Sequence, residues 1–137
     1  MISLRYGDDK NVAAWVADKL NLDGFSQYSA IGITRDGELI AGWVYSNYQG
    51  HDVEITVAAT DPRWLSRARL YMLFMYPFRQ LKVRRITASI AKRNKRARKV
   101  CEGLGFKHEG TLRKGYNGRQ DRIVYGMLEN ECRFLLR

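Results

Sequence analysis

The sequence predicts an α/β domain with a mostly antiparallel mixed sheet and one parallel β-α-β unit near its centre. Segments whose apolar residues alternate, as in strands, are interspersed with three segments whose apolar residues follow a helical spacing. One of these helices joins two successive strands, and such a crossover makes the two strands parallel. A length of 137 residues with 45% hydrophobic residues suits a single domain, residues 1–137, with its own core.

The N-terminal part of the chain reads as a helix followed by a β-hairpin. The segment “DDKNVAAWVADKL” places its apolar residues on one stripe of a helix, with Asp8 or Asp9 as its cap. Two β-rich runs in “YSAIGITRDGELIAGWVYSNY” then flank Asp36-Gly37, a dipeptide typical of tight hairpin turns. We therefore expect two antiparallel strands after the first helix.

A third strand and a second helix are expected next. The segment “HDVEITVAAT” alternates and places Glu54 on the polar face of its strand. In “DPRWLSRARLYMLFMYPF”, Asp61 is a suitable cap and Pro62 a suitable first helical residue, and the helix should end by Tyr76, before Pro77. The apolar stripe of this helix is expected to comprise Leu65, Ala68, Met72 and Met75.

The last part of the chain reads as a strand, a short helix and two more strands. The segment “RRITASIA” alternates, and the helix of “NKRARKVCEGL” should begin after its cap Asn94 and end at Gly105 in the left-handed conformation. Two final strands, “FKHEGTLRKGY” and “QDRIVYGMLE”, are joined by the glycine-rich loop 115–118. The helix should pack on the sheet through Ala97, Val100, Cys101 and Leu104.

Basic residues are concentrated in the middle of the chain. The formal net charge is +10, and no acidic residue occurs between Asp61 and Glu102. That interval holds thirteen Lys and Arg residues, so an anionic partner such as RNA, DNA or a ribosomal surface is expected along Arg63–Lys99. The alternative is a solvated basic face that only aids solubility.

Other features of the sequence indicate where in the cell the protein is expected. The N-terminal “MISLRYGDD” lacks the layout of a signal peptide, and no apolar run is long enough to span a membrane. Cys101 and Cys132 lie far apart and match no metal-ligand spacing, so two reduced thiols and no metal site are expected. These features predict a cytoplasmic protein with no membrane partner, and they leave the oligomeric state open.

Three segments carry a resemblance to a known family. “VEITVAATDPRWLSRA”, “ITASIAKRNKRARKVCEGLGFKHEGTLR” and “RIVYGMLENE” resemble the Gcn5-related N-acetyltransferases, most closely the branch of the ribosomal-protein alanine N-acetyltransferases. The resemblance runs from about Tyr28 to the end. It implies the acetyltransferase fold with a splayed pair of strands, and transfer of an acetyl group from acetyl-CoA to a primary amine in a ternary complex. A second reading is a binding module of the same fold that uses its basic face on nucleic acid or within a larger assembly.

The resemblance also implies which residues hold acetyl-CoA. In the family the pyrophosphate lies at the start of the second helix, and the pattern there falls on Arg63, Ser66 and Ala68. Ser66 replaces the usual glycine, a departure that puts cofactor affinity in question. The third strand is expected to face the thioester, and the helix that begins after Asn94 is expected to flank the pantetheine arm. The residues implied for acetyl-CoA binding are Thr56, Val57, Ala58, Arg63, Trp64, Ser66, Arg67, Ala68, Asn94 and Ala97.

Three residues are expected to take part in proton transfer. Glu54 is the candidate base, acting directly or through water, although a strand glutamate paired with an arginine is an alternative and His51 is a second candidate. The usual acid of the family is a tyrosine seven residues after the asparagine, a position that Cys101 occupies here. Cys101 is therefore a candidate acid or a core residue, and Tyr116 or water could take its place.

Overall fold

A mixed sheet of seven strands forms the centre of the computed structural model, which describes residues 1–135. The strands are Ile2–Arg5 (β1), Tyr28–Arg35 (β2), Glu38–Ser46 (β3), Asp52–Ala59 (β4), Arg85–Ala91 (β5), Lys107–Leu112 (β6) and Arg122–Leu128 (β7). Their spatial order is β1-β2-β3-β4-β5-β7-β6, and within the described residues only the β4–β5 pair is parallel. The predicted sheet is confirmed, and β1 is an edge strand that the sequence did not reveal.

Helices cover both faces of the sheet. They span Asp9–Leu20 (α1), Arg67–Met75 (α2) and Lys95–Leu104 (α3). Helix α1 lies alone on one face of β2, β3 and β4, whereas α2 and α3 pack on the other face. Within residues 1–135, no helix is long and apolar enough to cross a membrane.

Aromatic side chains form the larger of the two cores. Trp43 meets Phe74 edge to face, with ring centres 5.3 Å apart, and Phe74 stacks on Phe134 at 5.4 Å. The buried Tyr45 hydroxyl donates a hydrogen bond to the Leu73 carbonyl oxygen over 2.7 Å. These contacts fix α2 and the C-terminal segment against β3, because buried aromatic pairs combine large apolar area with specific geometry.

Two glycines allow α1 to lie close to the sheet. A Cβ atom on Gly42 would lie 2.6 Å from Val16 Cγ2 and 3.0 Å from Val12 Cγ1. On Gly32, the same atom would lie 2.9 Å from Val12 Cγ2 and 2.7 Å from Leu39 Cδ2. Both valines are fully buried, and β-branched side chains have few rotamers with which to move aside. The distance between α1 and the sheet therefore depends on glycine at these positions.

The second predicted helix begins later than expected. Asp61 does act as a cap, but of a short 3₁₀ turn, Pro62–Trp64. Ser66 is extended and serves as a second cap, because its Oγ accepts a hydrogen bond from the Arg69 amide over 3.1 Å, and α2 starts at Arg67. Asp61 and Ser66 are both suitable N-cap residues, five positions apart. Pro62 made Asp61 the expected cap of the α-helix, because proline is common at the first helical position.

The predicted end of this helix is confirmed, because α2 ends at Met75 with Tyr76 as its C-cap, but its predicted apolar face is wrong. A π-helical turn, Tyr76–Gln80, follows α2 and contains the buried Pro77. The buried residues of α2 are Leu70, Leu73 and Phe74, whereas Leu65 is 37% exposed. The segment is apolar on nearly all sides, so spacing alone could not select the face. The stripe expected from the sequence was Leu65, Ala68, Met72 and Met75.

The predicted turn and helix ends elsewhere are confirmed. Asp36 and Gly37 have φ angles of 52° and 87°, the left-handed pair that a tight hairpin between β2 and β3 requires. Asn94 caps α3, with its Oδ1 accepting a hydrogen bond from the Ala97 amide over 3.2 Å. Gly105 ends α3 with a φ of 108°.

We predict that Gly42→Ala lowers the free energy of unfolding by about 1–3 kcal/mol, because the added methyl group must displace Val16 or Val12. Gly103→Ala in α3 is the matched control, since no atom of residues 1–135 lies within 4 Å of its added Cβ. That control should raise the free energy of unfolding by up to about 1 kcal/mol through helix propensity and reduced chain entropy. Urea unfolding measures both, and an unchanged midpoint for Gly42→Ala would contradict the close packing of α1.

Candidate active site

The two central parallel strands separate partway along their length. Residues 52–55 of β4 pair with residues 85–88 of β5, and the pairing stops there although both strands continue. Strand β5 follows its antiparallel partner β7 over its whole length, and β4 follows β3. Sheet twist therefore drives the two strands apart past Ile55 and Ala88. A cavity of about 550 Å³, which we call the splay cavity, opens between them.

Strand β4 forms one wall of the splay cavity. Ile55, Val57 and Ala58 line it, whereas Thr56 does not. Past Ile55 the backbone groups of β4 that point toward β5 have no strand partner in the described part of the chain, because the parallel pairing has ended. This wall combines apolar side chains with unpaired backbone donors and acceptors.

Helix α3 forms the opposite wall. Ala97, Val100 and Cys101 line the cavity, together with the capping Asn94. The Asn94 Oδ1 is occupied by the Ala97 amide, which leaves the amide nitrogen of the same side chain as a donor toward a ligand. The predicted positions of Asn94 and Ala97 beside one cavity are thus found, and their roles toward a ligand stay predictions.

The loop between β4 and α2 closes one end of the cavity. Asp61, Pro62, Trp64 and Leu65 line this end. Four residues that the family pattern assigned to the cofactor do not line the cavity, and they lie next to this end on the same loop and the first turn of α2: Arg63, Ser66, Arg67 and Ala68. Serine in place of glycine needs no unusual backbone, because residue 66 is extended at φ −155° and ψ 153°.

The arginines at the start of α2 differ in how far they are already engaged. Arg63 binds the Asp61 carboxylate through Nε and Nη2, with a shortest contact of 2.7 Å. This hydrogen bond lowers the pKa of Asp61 to about 2, so the pair keeps both charges at neutral pH. Arg69 donates to the carbonyl oxygens of Trp64 and Arg63. Among residues 1–135, Arg67 has neither a carboxylate nor a carbonyl partner, and its guanidinium lies 6.0 Å from the Phe134 ring.

The glycine-rich loop between β6 and β7 brings Tyr116 to the cavity from the far side. Its hydroxyl donates to the Leu20 carbonyl oxygen at the end of α1 over 3.4 Å, and burial raises its pKa. Lys19, Leu20 and Ser89 line the same side. The sequence did not reveal these three residues, because no local signal indicates that the end of α1 lies over β4 or that β5 is separated from β4 at Ser89.

Glu54 lies beside the splay cavity and does not line it. It shares a face of β4 with Ala58, which does line the cavity, and its register partners are Ser46 and Thr87. The Glu54 side chain is 30% exposed, and its Oε1 lies 4.0 Å from Nη2 of Arg122. A carboxylate with one distant cation and access to solvent could accept a proton through water.

Charged residues surround Glu54 on the same region of the sheet. Arg85 Nη2 donates to Glu109 Oε1 over 2.9 Å, and this bond raises the pKa of Arg85. Arg85 Nε also lies 3.6 Å from Asp52 Oδ1, and the Thr87 hydroxyl donates to the same carboxylate over 3.0 Å. Asp52, Glu54 and Glu109 form a group of carboxylates in an otherwise basic protein, partly offset by arginines.

Cys101 belongs to the core as well as to the cavity wall. It is 6% exposed, and burial together with the neighbouring Glu102 charge raises its pKa to about 12. A thiol with this pKa is a much weaker acid than an ordinary thiol, near 8.5. In residues 1–135, no group of three or more His, Cys, Asp or Glu side chains is placed to hold a metal ion.

Comparisons with known proteins identify the fold. No protein-family model matches the chain, and no curated protein is significantly similar to it in sequence. A probable acetyltransferase of known structure aligns over 95% of this chain and 94% of its own, with 21% identity and a TM-score of 0.74. Spermidine N-acetyltransferase SpeG from Vibrio cholerae, as an N-to-L mutant, covers 99% and 97% with 18% identity and a TM-score of 0.72.

A third structure, RimJ from Mycobacterium smegmatis in complex with CoA-disulfide, aligns over 95% of this chain and 83% of its own, with 18% identity and a TM-score of 0.69. At these identities the likeness establishes the fold. The chain has the α/β fold of the Gcn5-related acetyltransferases, as the sequence predicted, including the separated central strands.

We predict that both cysteines resist alkylation in the folded protein. Burial raises the pKa of Cys132 as well as that of Cys101. For Cys101, a pKa of about 12 makes the thiolate fraction at pH 8 roughly a thousandfold lower than in an unfolded chain. Iodoacetamide labelling at about pH 8, followed by mass spectrometry, should modify both residues only after unfolding in urea. Labelling of Cys101 in the native protein at the unfolded rate would show that the thiol is activated.

Proposed function

We propose that this protein is an N-acetyltransferase that moves an acetyl group from acetyl-CoA to a primary amine. The observation that carries the proposal is the splay cavity, which lies between the parallel strands β4 and β5. Helix α3 bounds it on one side, and the loop that leads into α2 closes one end. Its two walls suit a long, mostly apolar arm that ends in a thioester. The fold shared with proteins named as acetyltransferases supports the same activity.

The donor would be held at three places. The amides of Arg67 and Ala68, in the first turn of α2, are the free N–H groups of a helix start and suit the pyrophosphate, with Arg67 adding charge. The Asn94 side-chain amide and the backbone of residues 56–58 would hydrogen-bond the pantetheine arm, and Ala97 would pack against it. Trp64 closes the end of the cavity, and Arg63 is a weaker contributor because Asp61 already binds it.

The acceptor amine would approach from the side that carries Glu54. The carboxylates Asp52, Glu54 and Glu109 lie there and favour a cationic amine before it loses its proton. The likeness to a spermidine N-acetyltransferase supports a polyamine acceptor, and the likeness to RimJ and the resemblance to ribosomal-protein alanine N-acetyltransferases support a protein N-terminus. Both acceptors are primary amines, and the proposal rests on that shared chemistry.

The reaction would take place with both substrates bound. The amine nitrogen attacks the thioester carbonyl carbon, the C–N bond forms, and the C–S bond breaks with its electron pair leaving on sulfur. The proton of the amine passes to Glu54 through water. Backbone N–H groups of β4 stabilise the negative charge that develops on the carbonyl oxygen. No covalent intermediate with the enzyme is needed.

The leaving thiolate would take its proton from Tyr116, which recovers one from solvent. Tyr116 reaches the cavity from the side of α1, and within residues 1–135 the 3.4 Å contact to Leu20 is the one hydrogen bond that its hydroxyl would have to break. Burial raises the pKa of Tyr116 too, but Cys101, the other candidate, has a pKa of about 12, so its donation to an ordinary thiolate would be uphill by about three and a half pKa units. We also place the reaction in the cytoplasm, where two free buried cysteines stay reduced.

We predict that acetyl-CoA binds the purified protein and that Arg67→Ala weakens this binding by about tenfold, the loss expected for one charge-assisted hydrogen bond. Arg63→Ala is the matched control, and its effect should stay below about threefold because the Arg63 charge is already offset by Asp61. Isothermal titration calorimetry measures both. An absence of binding heat with the wild type at millimolar ligand would reject the site and the enzyme together.

We predict that Glu54→Gln lowers kcat by about 10²–10⁴, as expected for loss of a general base, and leaves the Kd for acetyl-CoA unchanged. Release of free CoA thiol is followed with spermidine, with a peptide bearing an N-terminal alanine and with lysine, and the best acceptor is used for the comparison. Glu38→Gln, at the exposed start of β3, is the charge-matched control. An unchanged kcat for Glu54→Gln would transfer the role of base to His51, Tyr116 or water.

A further inference from the structure

A second cavity, of about 390 Å³, lies against α3 next to its first turn. Residues from three separate parts of the chain meet there, namely the end of β5, the start of α3 and the loop between β6 and β7. A backbone hydrogen bond of 2.9 Å from the Lys92 amide to the Asp121 carbonyl oxygen joins the first part to the last. The lining consists of Lys92, Arg93, Lys95, Arg98, Arg119, Gln120 and Asp121. We call it the basic cavity.

The charges in the basic cavity are strongly unbalanced. Five of its lining residues are cationic and one, Asp121, is acidic. The Asp121 carboxylate is already engaged, because its Oδ1 accepts from the Lys114 amide over 2.9 Å and its Oδ2 lies 3.9 Å from Lys92 Nζ. Within residues 1–135, Arg93, Lys95 and Arg119 have no ion-pair partner. Such a concentration of unpaired cations is unfavourable unless an anion offsets it.

Arg98 is held in place at the wall of the basic cavity. Its Nε donates to the Tyr125 hydroxyl over 3.1 Å, and its Nη1 donates to the Lys92 carbonyl oxygen over 3.2 Å. The Tyr125 hydroxyl in turn donates to Glu102 over 2.8 Å. Two of the five N–H groups of the guanidinium are thus occupied, and the others remain for a ligand. A fixed guanidinium loses little freedom on binding, which suits recognition of phosphate oxygens.

We propose that the basic cavity binds the phosphodiester backbone of a nucleic acid, RNA or DNA. Its lining offers cations and one amide but no aromatic ring on which a base could stack. Contacts to phosphates alone fix position without reading sequence. Lys99 is exposed one helical turn after the lining residue Lys95, so a neighbouring phosphate of the same nucleic-acid chain would be met.

This site is separate from the proposed donor site. The residues of α3 that line the splay cavity include Ala97, Val100 and Cys101, whereas Lys95 and Arg98 line the basic cavity. The two sets lie on different faces of one helix. Nucleic-acid binding therefore does not depend on acetyl transfer, and its failure would leave the proposed enzymatic function untouched.

The test is fluorescence anisotropy with labelled oligouridylate RNA and with oligothymidylate DNA of the same length. If about three phosphates are contacted, log K should fall against log salt with a slope near −2, about fifteenfold in affinity between about 50 and about 200 mM salt. Arg93→Gln/Arg119→Gln should weaken binding by about tenfold at the lower salt concentration and reduce the slope. Equal binding of both oligonucleotides would support backbone recognition, and a preference for RNA would add a contact to the 2′-hydroxyl.

Matched controls make the result decisive. Lys10→Gln/Lys82→Gln removes the same charge from distant exposed positions that have no ion-pair partner within residues 1–135, and it should leave the affinity within about twofold. Equal weakening by this control would show that the loss of affinity reflects net charge alone, and it would overturn the proposed site. Competition by CoA, or equally tight binding of a polyglutamate of similar charge, would also overturn it, as would affinity that does not change with salt. Acetyl-CoA binding by Arg93→Gln/Arg119→Gln should equal that of the wild type and shows that the variant is folded.

Discussion

The candidate site depends on the point at which two neighbouring strands stop pairing. In the middle of a sheet, each strand normally uses its backbone groups on both sides, and no ligand can reach them. Here β4 and β5 are parallel for four residue pairs only, because each is held more extensively by an antiparallel partner. The separation opens a cavity and frees backbone donors while the aromatic core behind β3 stays intact.

Hydrogen bonding divides the many arginines into two groups with different roles. Arg63, Arg69, Arg85 and Arg98 are bound to carboxylate, carbonyl or hydroxyl oxygens and fix loops and helices in place. Arg67, Arg93 and Arg119 lack such partners within residues 1–135 and are available to external anions. Fewer arginines are therefore available to an external anion than the net charge of +10 suggests. The hydrogen-bond partners of the other arginines determine where the available ones lie.

Local signals in the sequence were sufficient for most of the fold. Alternation, the Asp36-Gly37 turn, the Asn94 cap and the Gly105 terminus each depend on a few adjacent residues, and all were found as predicted. The errors arose where a segment satisfied two rules at once, as in α2 with its two caps and apolar surroundings. The site was predicted only in part, because the contacts of Tyr116 with Leu20 and of Lys92 with Asp121 join residues far apart in sequence.

Helix α3 is a single rigid element with a different cavity on each of two faces. If the ligands of both cavities favour particular positions of this helix, binding of one changes the binding free energy of the other. Linkage requires this effect to be equal in both directions. The Tyr125 hydroxyl, held between Arg98 and Glu102, anchors the helix to β7 and limits how far it can shift. Because this ten-residue helix contributes residues to both cavities, a shift of the helix would alter both of them at once.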